Sequence, residues 1–97
     1  MVISKEQSGQ ELLGMVVGRL DTNTAPELER FLEDNTEGIE RMILDFTKLD
    51  YISSAGLRVL LSANKKFGYE NLVVRNANEI VTEVFEVTGF SDILNIK

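Results

Sequence analysis

Asp45-Phe-Thr-Lys-Leu-Asp-Tyr-Ile-Ser-Ser-Ala-Gly-Leu-Arg-Val-Leu-Leu61 is the stretch that decides the fold. It follows the apolar run Arg41 to Phe46, whose short length suits a buried central strand. After the turn, Leu57, Leu60, Leu61 and Phe67 recur at helical spacing, so a helix begins near Ser54 and stops at Gly68. Asn64 shares that face and needs a hydrogen-bond partner there. Two serines thus stand where a turn becomes a helix. Serine is a favoured N-cap, which accounts for one of them without any function. The second hydroxyl would sit beside free N–H groups and a helix dipole that both favour negative charge, so a phosphoryl group on it is tolerable.

The flanking sequence repeats the pattern. Leu12 to Leu20 reads as a strand punctuated by Gly14 and Gly18. Thr24-Ala-Pro-Glu27 has the form of a capping box, with Leu28, Phe31 and Leu32 following in a helix to about Asn35. Leu72-Val-Val74 is another buried strand. Asn78 can cap a third helix with the apolar face Ile80, Val81, Val84, Phe85 and Val87, closed by a left-handed Gly89. Ile93 to Ile96 suit a short edge strand, and Val2 to Ser4 a first strand. Helices alternating with apolar strands predict an α/β fold, a mixed or parallel sheet of four to five strands covered by three to four helices. Partners of such sheets meet the loops at the carboxyl ends of the strands. Asp21 to Thr24 and Asp50 to Gly56 are two loops of this kind, expected to be neighbours.

The 97 residues suffice for one domain spanning 1–97. With no cysteine and no histidine, thiolate chemistry, disulfides and the usual general base near neutral pH are excluded. No metal-ligand cluster and no phosphate-binding glycine loop is present, so no catalytic residue, metal or cofactor is assigned. Ser62-Ala-Asn-Lys65 fits a Ser-x-x-Lys pattern but lacks every accompanying motif. The net charge of −6 and scattered basic residues argue against nucleic acid and membrane as partners. The amino terminus lacks a signal-peptide layout, and a cytoplasmic protein is expected.

Several residues around the serines are candidate partner contacts. Ala55 and Gly56 are small enough for close approach. Arg58 lies four residues after Ser54, on the same helix face, and could pair with a phosphate there, with Asp50 opposing. Val59 points away from the Leu57/Leu60/Leu61 face on a helical wheel, as an exposed valine would. Asp21 either buttresses its own turn, as Asx residues do, or helps orient a partner.

Gly18-Arg-Leu-Asp21 with Thr24-Ala-Pro-Glu-Leu28, Ile43-Leu-Asp-Phe46 with Leu49-Asp-Tyr-Ile-Ser-Ser-Ala-Gly-Leu57, and Val84-Phe-Glu-Val-Thr-Gly-Phe90 together resemble the STAS domain, in its small anti-sigma factor antagonist form. The resemblance implies the STAS fold and a partner-switching role. Such proteins, unphosphorylated, bind an anti-sigma factor that is a serine kinase and so release a sigma factor. Phosphorylated, they let go, and a metal-dependent serine/threonine phosphatase resets them. The family's phosphoacceptor falls on Ser54, with Ser53 the fallback, and the family's kinase-contacting aspartate falls on Asp21. Taken with the contacts read from the residues themselves, the expected partner surface is Asp21, Thr22, Ser53, Ser54, Gly56, Arg58 and Val59. Ser53 stands where sigma-regulating members often carry aspartate, which removes a charge beside the acceptor. The other reading within the family is an unphosphorylated scaffold or sensor subunit.

Overall fold

The computed structural model describes residues 1–97 and contains one sheet with three α-helices. In chain order the elements are β1 (Val2–Ser8), β2 (Glu11–Leu20), α1 (Ala25–Asp34), β3 (Arg41–Asp45), β4 (Leu49–Ile52), α2 (Ser54–Phe67), β5 (Leu72–Arg75), α3 (Glu79–Val87) and β6 (Asn95–Ile96). A 3₁₀ turn over Phe90–Asp92 links α3 to β6. Strands pair in the order β1-β2-β3-β5-β6, with β4 also on β2; only the β1–β2 pair is antiparallel. The mixed α/β architecture is the expected one.

The sheet has six strands, one more than the expected upper number. The addition is β4, inside the stretch read as a loop. Asp50 is exposed and Tyr51 half-buried between the buried Leu49 and Ile52, so no regular alternation marks the strand. β1 also runs four residues past Ser4, to Ser8. It is an edge strand, mostly exposed, so apolar alternation does not mark it.

β2 organises the molecule. Residues Glu11 to Met15 pair with β3, and Gly18 to Leu20 pair with β4. The handover occurs at a register shift at Gly18/Arg19, where Gly18 takes φ +114°, a conformation suited to glycine. At Gly14 the missing side chain makes room for the Phe31 ring of α1, which lies 3.0 Å from where a Cβ would stand.

A cluster of 20 buried residues joins the helices to one face of the sheet. Leu12, Val16, Met42, Leu44 and Val74 contribute from the strands, and Leu28, Leu60, Val81 and Phe85 from the helices. The alternate residues Leu13, Met15 and Ile43 are half-buried on the other face. Asn78 caps α3 as expected, accepting from the Val81 N–H at 2.8 Å, and its amide donates to the Leu49 carbonyl at 3.0 Å. α2 ends at Gly68, φ +90°, whose N–H donates to the Asn64 carbonyl. The Asn64 side chain is only half satisfied: its amide reaches the Ile93 carbonyl at 3.5 Å, and Oδ1 is buried without a partner.

Candidate functional site

The parallel pairing Leu20↔Ile52 brings the ends of β2 and β4 side by side. Both chains leave the sheet at the same end, so the Asp21 turn and the Ser53–Ser54 turn are neighbours, as the strand order requires. The Ser53 N–H donates to the Leu20 carbonyl at 2.9 Å, tying the two exits together.

The two serines have different fates. Ser53 is the N-cap of α2, with extended backbone, and its carbonyl accepts from the Leu57 N–H at 3.0 Å. Its hydroxyl makes no capping bond, and Oγ is buried without any partner. Ser54 is the first residue of the helix and is exposed. The N–H groups of Ser54, Ala55 and Gly56 donate to no carbonyl or side chain of the chain. They form the positive end of the α2 dipole, and Ser54, the first of the three, is open to solvent. No acidic side chain lies in the first turn of α2.

The Asp21 turn is held from within. Asp21 Oδ1 accepts the N–H groups of Asn23 at 3.0 Å and Thr24 at 3.1 Å. The Asp21 carbonyl accepts the Ala25 N–H at 2.8 Å, which starts α1. The Thr24 N–H is the main influence that holds the Asp21 carboxyl below its ordinary pKa of 3.8. Partial desolvation opposes it, while Asn23, the Thr24 hydroxyl and Arg19 add to it. Asp21 is therefore an anion that shapes its own loop. The expected capping box does not form. The Thr24 hydroxyl instead donates back to the Arg19 carbonyl at 2.6 Å and accepts from the Asp21 N–H at 2.9 Å, because the loop folds back over it. Arg19 completes this end of the sheet, 3.7 Å from Asp21 and with its guanidinium 4.6 Å from the centre of the Tyr51 ring.

Two expected contact residues turn inward. Gly56 is buried, and a Cβ there would stand 2.6 Å from Leu20 Cγ and 2.9 Å from Ile52 Cγ1. The glycine admits the sheet to the helix, not a partner. Val59 is 7% exposed and belongs to the core. The buried face of α2 centres on Gly56, Val59, Leu60 and Ala63, because α1 covers that flank; Leu61 is left half-buried. The wheel drawn on leucines alone misplaces this face, since Gly56 and Ala63 carry too little side chain to mark it.

The residues that remain accessible are Ser54, Thr22 and Arg58, with Asp21 partly so. Thr22, Ala55 and Arg58 line a shallow open groove between the starts of α1 and α2, which Pro26 and Glu29 extend. Arg58 makes no ion pair within 4 Å, so its charge is available. Sequence reasoning did not single out Pro26 or Glu29; their helical positions opposite α2 become visible only once α1 and α2 are packed.

A second polar cluster lies at the ends of β3 and β5. Asp45, with 13% of its side chain exposed, meets Arg75 at 3.4 Å. Burial pushes its carboxyl up, but Thr47, Asn76 and Arg75 outweigh burial and hold it below 3.8. Every acceptor bond is to a residue that shapes the adjoining turns, so this cluster is structural. No helix is long and apolar enough to cross a membrane.

Residues 3–97 match the STAS domain. The anti-sigma-B factor antagonist of Listeria monocytogenes is 35% identical over 97 residues, covering 96% of this chain and 84% of that protein. An anti-sigma factor antagonist from Mycobacterium paratuberculosis shares the fold with a TM-score of 0.87 at 21% identity, over 98% of this chain and 83% of that one. The Bacillus cell fate determinant SpoIIAA in its phosphorylated form superposes with a TM-score of 0.73 at 14% identity, over 99% and 91% of the two chains.

Proposed function

The chain belongs to the STAS domain family, and on that premise we propose that it is an anti-sigma factor antagonist switched by phosphorylation of Ser54. Unphosphorylated, it binds an anti-sigma factor that is a serine kinase, and the sigma factor is released. The kinase transfers the γ-phosphoryl of ATP to Ser54: an Oγ–P bond forms, the bond to the β-phosphate oxygen breaks, ADP leaves and the hydroxyl proton is lost. A metal-dependent serine/threonine phosphatase resets the protein by hydrolysis: water attacks the phosphorus, the Oγ–P bond breaks, inorganic phosphate leaves and the Ser54 hydroxyl is regenerated. The protein itself supplies a surface and an acceptor, not catalysis, and works in the cytoplasm.

The observation that carries this reading is the asymmetry of the two serines. Ser54 is exposed at the start of α2 while the Ser53 hydroxyl is buried. A kinase active site can reach the first without unfolding anything. Phosphorylation adds nearly two negative charges beside the Asp21 carboxylate, on the surface formed by Asp21, Thr22, Ser54 and Arg58. A complex whose kinase side complements that surface is weakened by like-charge repulsion and by the cost of desolvating the phosphate. The free N–H groups of α2 accommodate the phosphate locally, so the fold persists in both states.

Binding to the cognate kinase tests this. Ser54→Ala should bind and remain bound in the presence of ATP, whereas Ser54→Asp should bind weakly. Equal affinity of the two variants would refute the switch and favour an unphosphorylated scaffold.

A further inference from the structure

α3 carries more apolar surface than the core uses. Val81 and Phe85 are fully buried. Ile80, Val84 and Val87 recur at i, i+4 and i+7 and form a second stripe beside them. Ile80 is 57% exposed and Val87 76% exposed, with Val84 between them half-buried. At 3.6 residues per turn the apolar arc of α3 spans roughly 160°, and the core covers about half of it. Single exposed aliphatics are ordinary, but a continuous stripe the length of a helix is an unpartnered face.

The other border of the stripe is acidic. Glu79, Glu83 and Glu86 each precede a stripe residue by one position, are all exposed, and form a parallel row. No lysine or arginine lies between Glu79 and Ile96. We infer that this face of α3 docks an amphipathic helix of a partner protein, one with aliphatic residues on its contact face and Lys or Arg along one edge. The aliphatic row would cover Ile80, Val84 and Val87, and the basic edge would meet the three glutamates. A second copy of this chain fits poorly, since pairing α3 with α3 sets glutamates against glutamates without a compensating cation. An anionic membrane is repelled by the same row and by the net charge of −6. No residue of this face belongs to the Ser54 site, so the inference stands apart from the switch.

The test is an NMR titration of the isotope-labelled full chain with two synthetic amphipathic helices of about 18 residues. Both present leucines at i, i+4 and i+7, and they differ only in having lysine or glutamate along one edge. Amide shifts should concentrate in Glu79 to Thr88 and saturate about tenfold more tightly with the lysine-edged helix. Joint Ile80→Ser and Val87→Ser replacement should abolish them. Joint Glu79→Lys, Glu83→Lys and Glu86→Lys replacement, all at exposed positions, should reverse the preference. The inference is overturned if neither helix perturbs α3, or if both bind alike. It is equally overturned if α3 responds to protein concentration alone, which means self-association, or to phosphatidylglycerol vesicles, which means a membrane.

Discussion

Replacing Gly56 by alanine should destabilise the domain even though alanine is the better helix former. In an open helix the change gains up to about 1 kcal/mol. Here the new methyl would stand 2.6 Å from Leu20 Cγ and 2.9 Å from Ile52 Cγ1, about an ångström inside ordinary carbon contact. The obstructing atoms, the Leu20 branch carbon and the first methylene of Ile52, lie close to the backbone on side chains 0% and 1% exposed, at the strand ends that lead into both candidate loops, so they cannot swing away. Overpacking of this kind costs about 1–3 kcal/mol. Contacts of 2.6 and 2.9 Å put the cost in the upper part of that range, about 2–3 kcal/mol, so after a propensity gain of about 1 kcal/mol a net loss of about 1–2 kcal/mol remains, or a Tm lower by roughly 5–15 °C for a domain this size. Urea and thermal unfolding followed by circular dichroism read both quantities. Adding Leu20→Val to Gly56→Ala should return part of the loss, because the two changes share one contact. A Gly56→Ala protein as stable as the parent, or more so, would refute the close approach of α2 to the sheet and with it the inward role assigned to this glycine.

Other perturbations separate the remaining parts of the site. Ser53→Ala should alter stability by less than about 0.5 kcal/mol, against roughly 1 kcal/mol for an ordinary serine N-cap, because its hydroxyl makes no capping bond; a loss well above 1 kcal/mol in urea would contradict this. Asp45→Asn should lower stability at neutral pH. The folded carboxyl is depressed, so its contribution is fully present above the ordinary value of 3.8 and is lost as pH falls through the folded value. The gap between variant and parent should therefore narrow on acidification below 3.8, and a gap constant down the acid limb would rule the linkage out. In the Ser54-phosphorylated protein, Arg58→Ala should raise the second pKa of the phosphate by about 0.3 pH units, the size expected of an exposed i, i+4 pair. Phosphorus NMR titration measures it, and an unmoved midpoint would show that Arg58 does not reach the phosphate.

Much of the architecture is legible from periodicity and caps. The strand from Arg41, the helix from Ser54 to its stop at Gly68 and the Asn78 cap depend on local chemistry, and they stand where the residues place them. β4 is not legible, and β1 is legible only over Val2 to Ser4, because a four-residue strand carrying Asp50 and Tyr51 and the solvent-facing remainder of an edge strand have no apolar alternation to display. Thr24 illustrates a different gap. Its capping pattern is correct by sequence, yet a hydrogen bond to Arg19, five residues back, competes successfully for the same hydroxyl. For the candidate site, the Asp21 and Ser54 turns are neighbours as expected, but the strand that places them so is β4, through Leu20↔Ile52, and not the expected β3. Which serine is open, and that Gly56 and Val59 face inward, depends on how α1 and the sheet press on α2. That information lies in packing between residues far apart in the chain.

Site-resolved mass spectrometry after incubation with ATP and the cognate anti-sigma kinase is the most direct test of the switch. A single phosphoryl group on Ser54 is expected, lost in Ser54→Ala, with the modified protein released from the kinase. Phosphate on Ser53, or full kinase binding by the Ser54-phosphorylated protein, would contradict it.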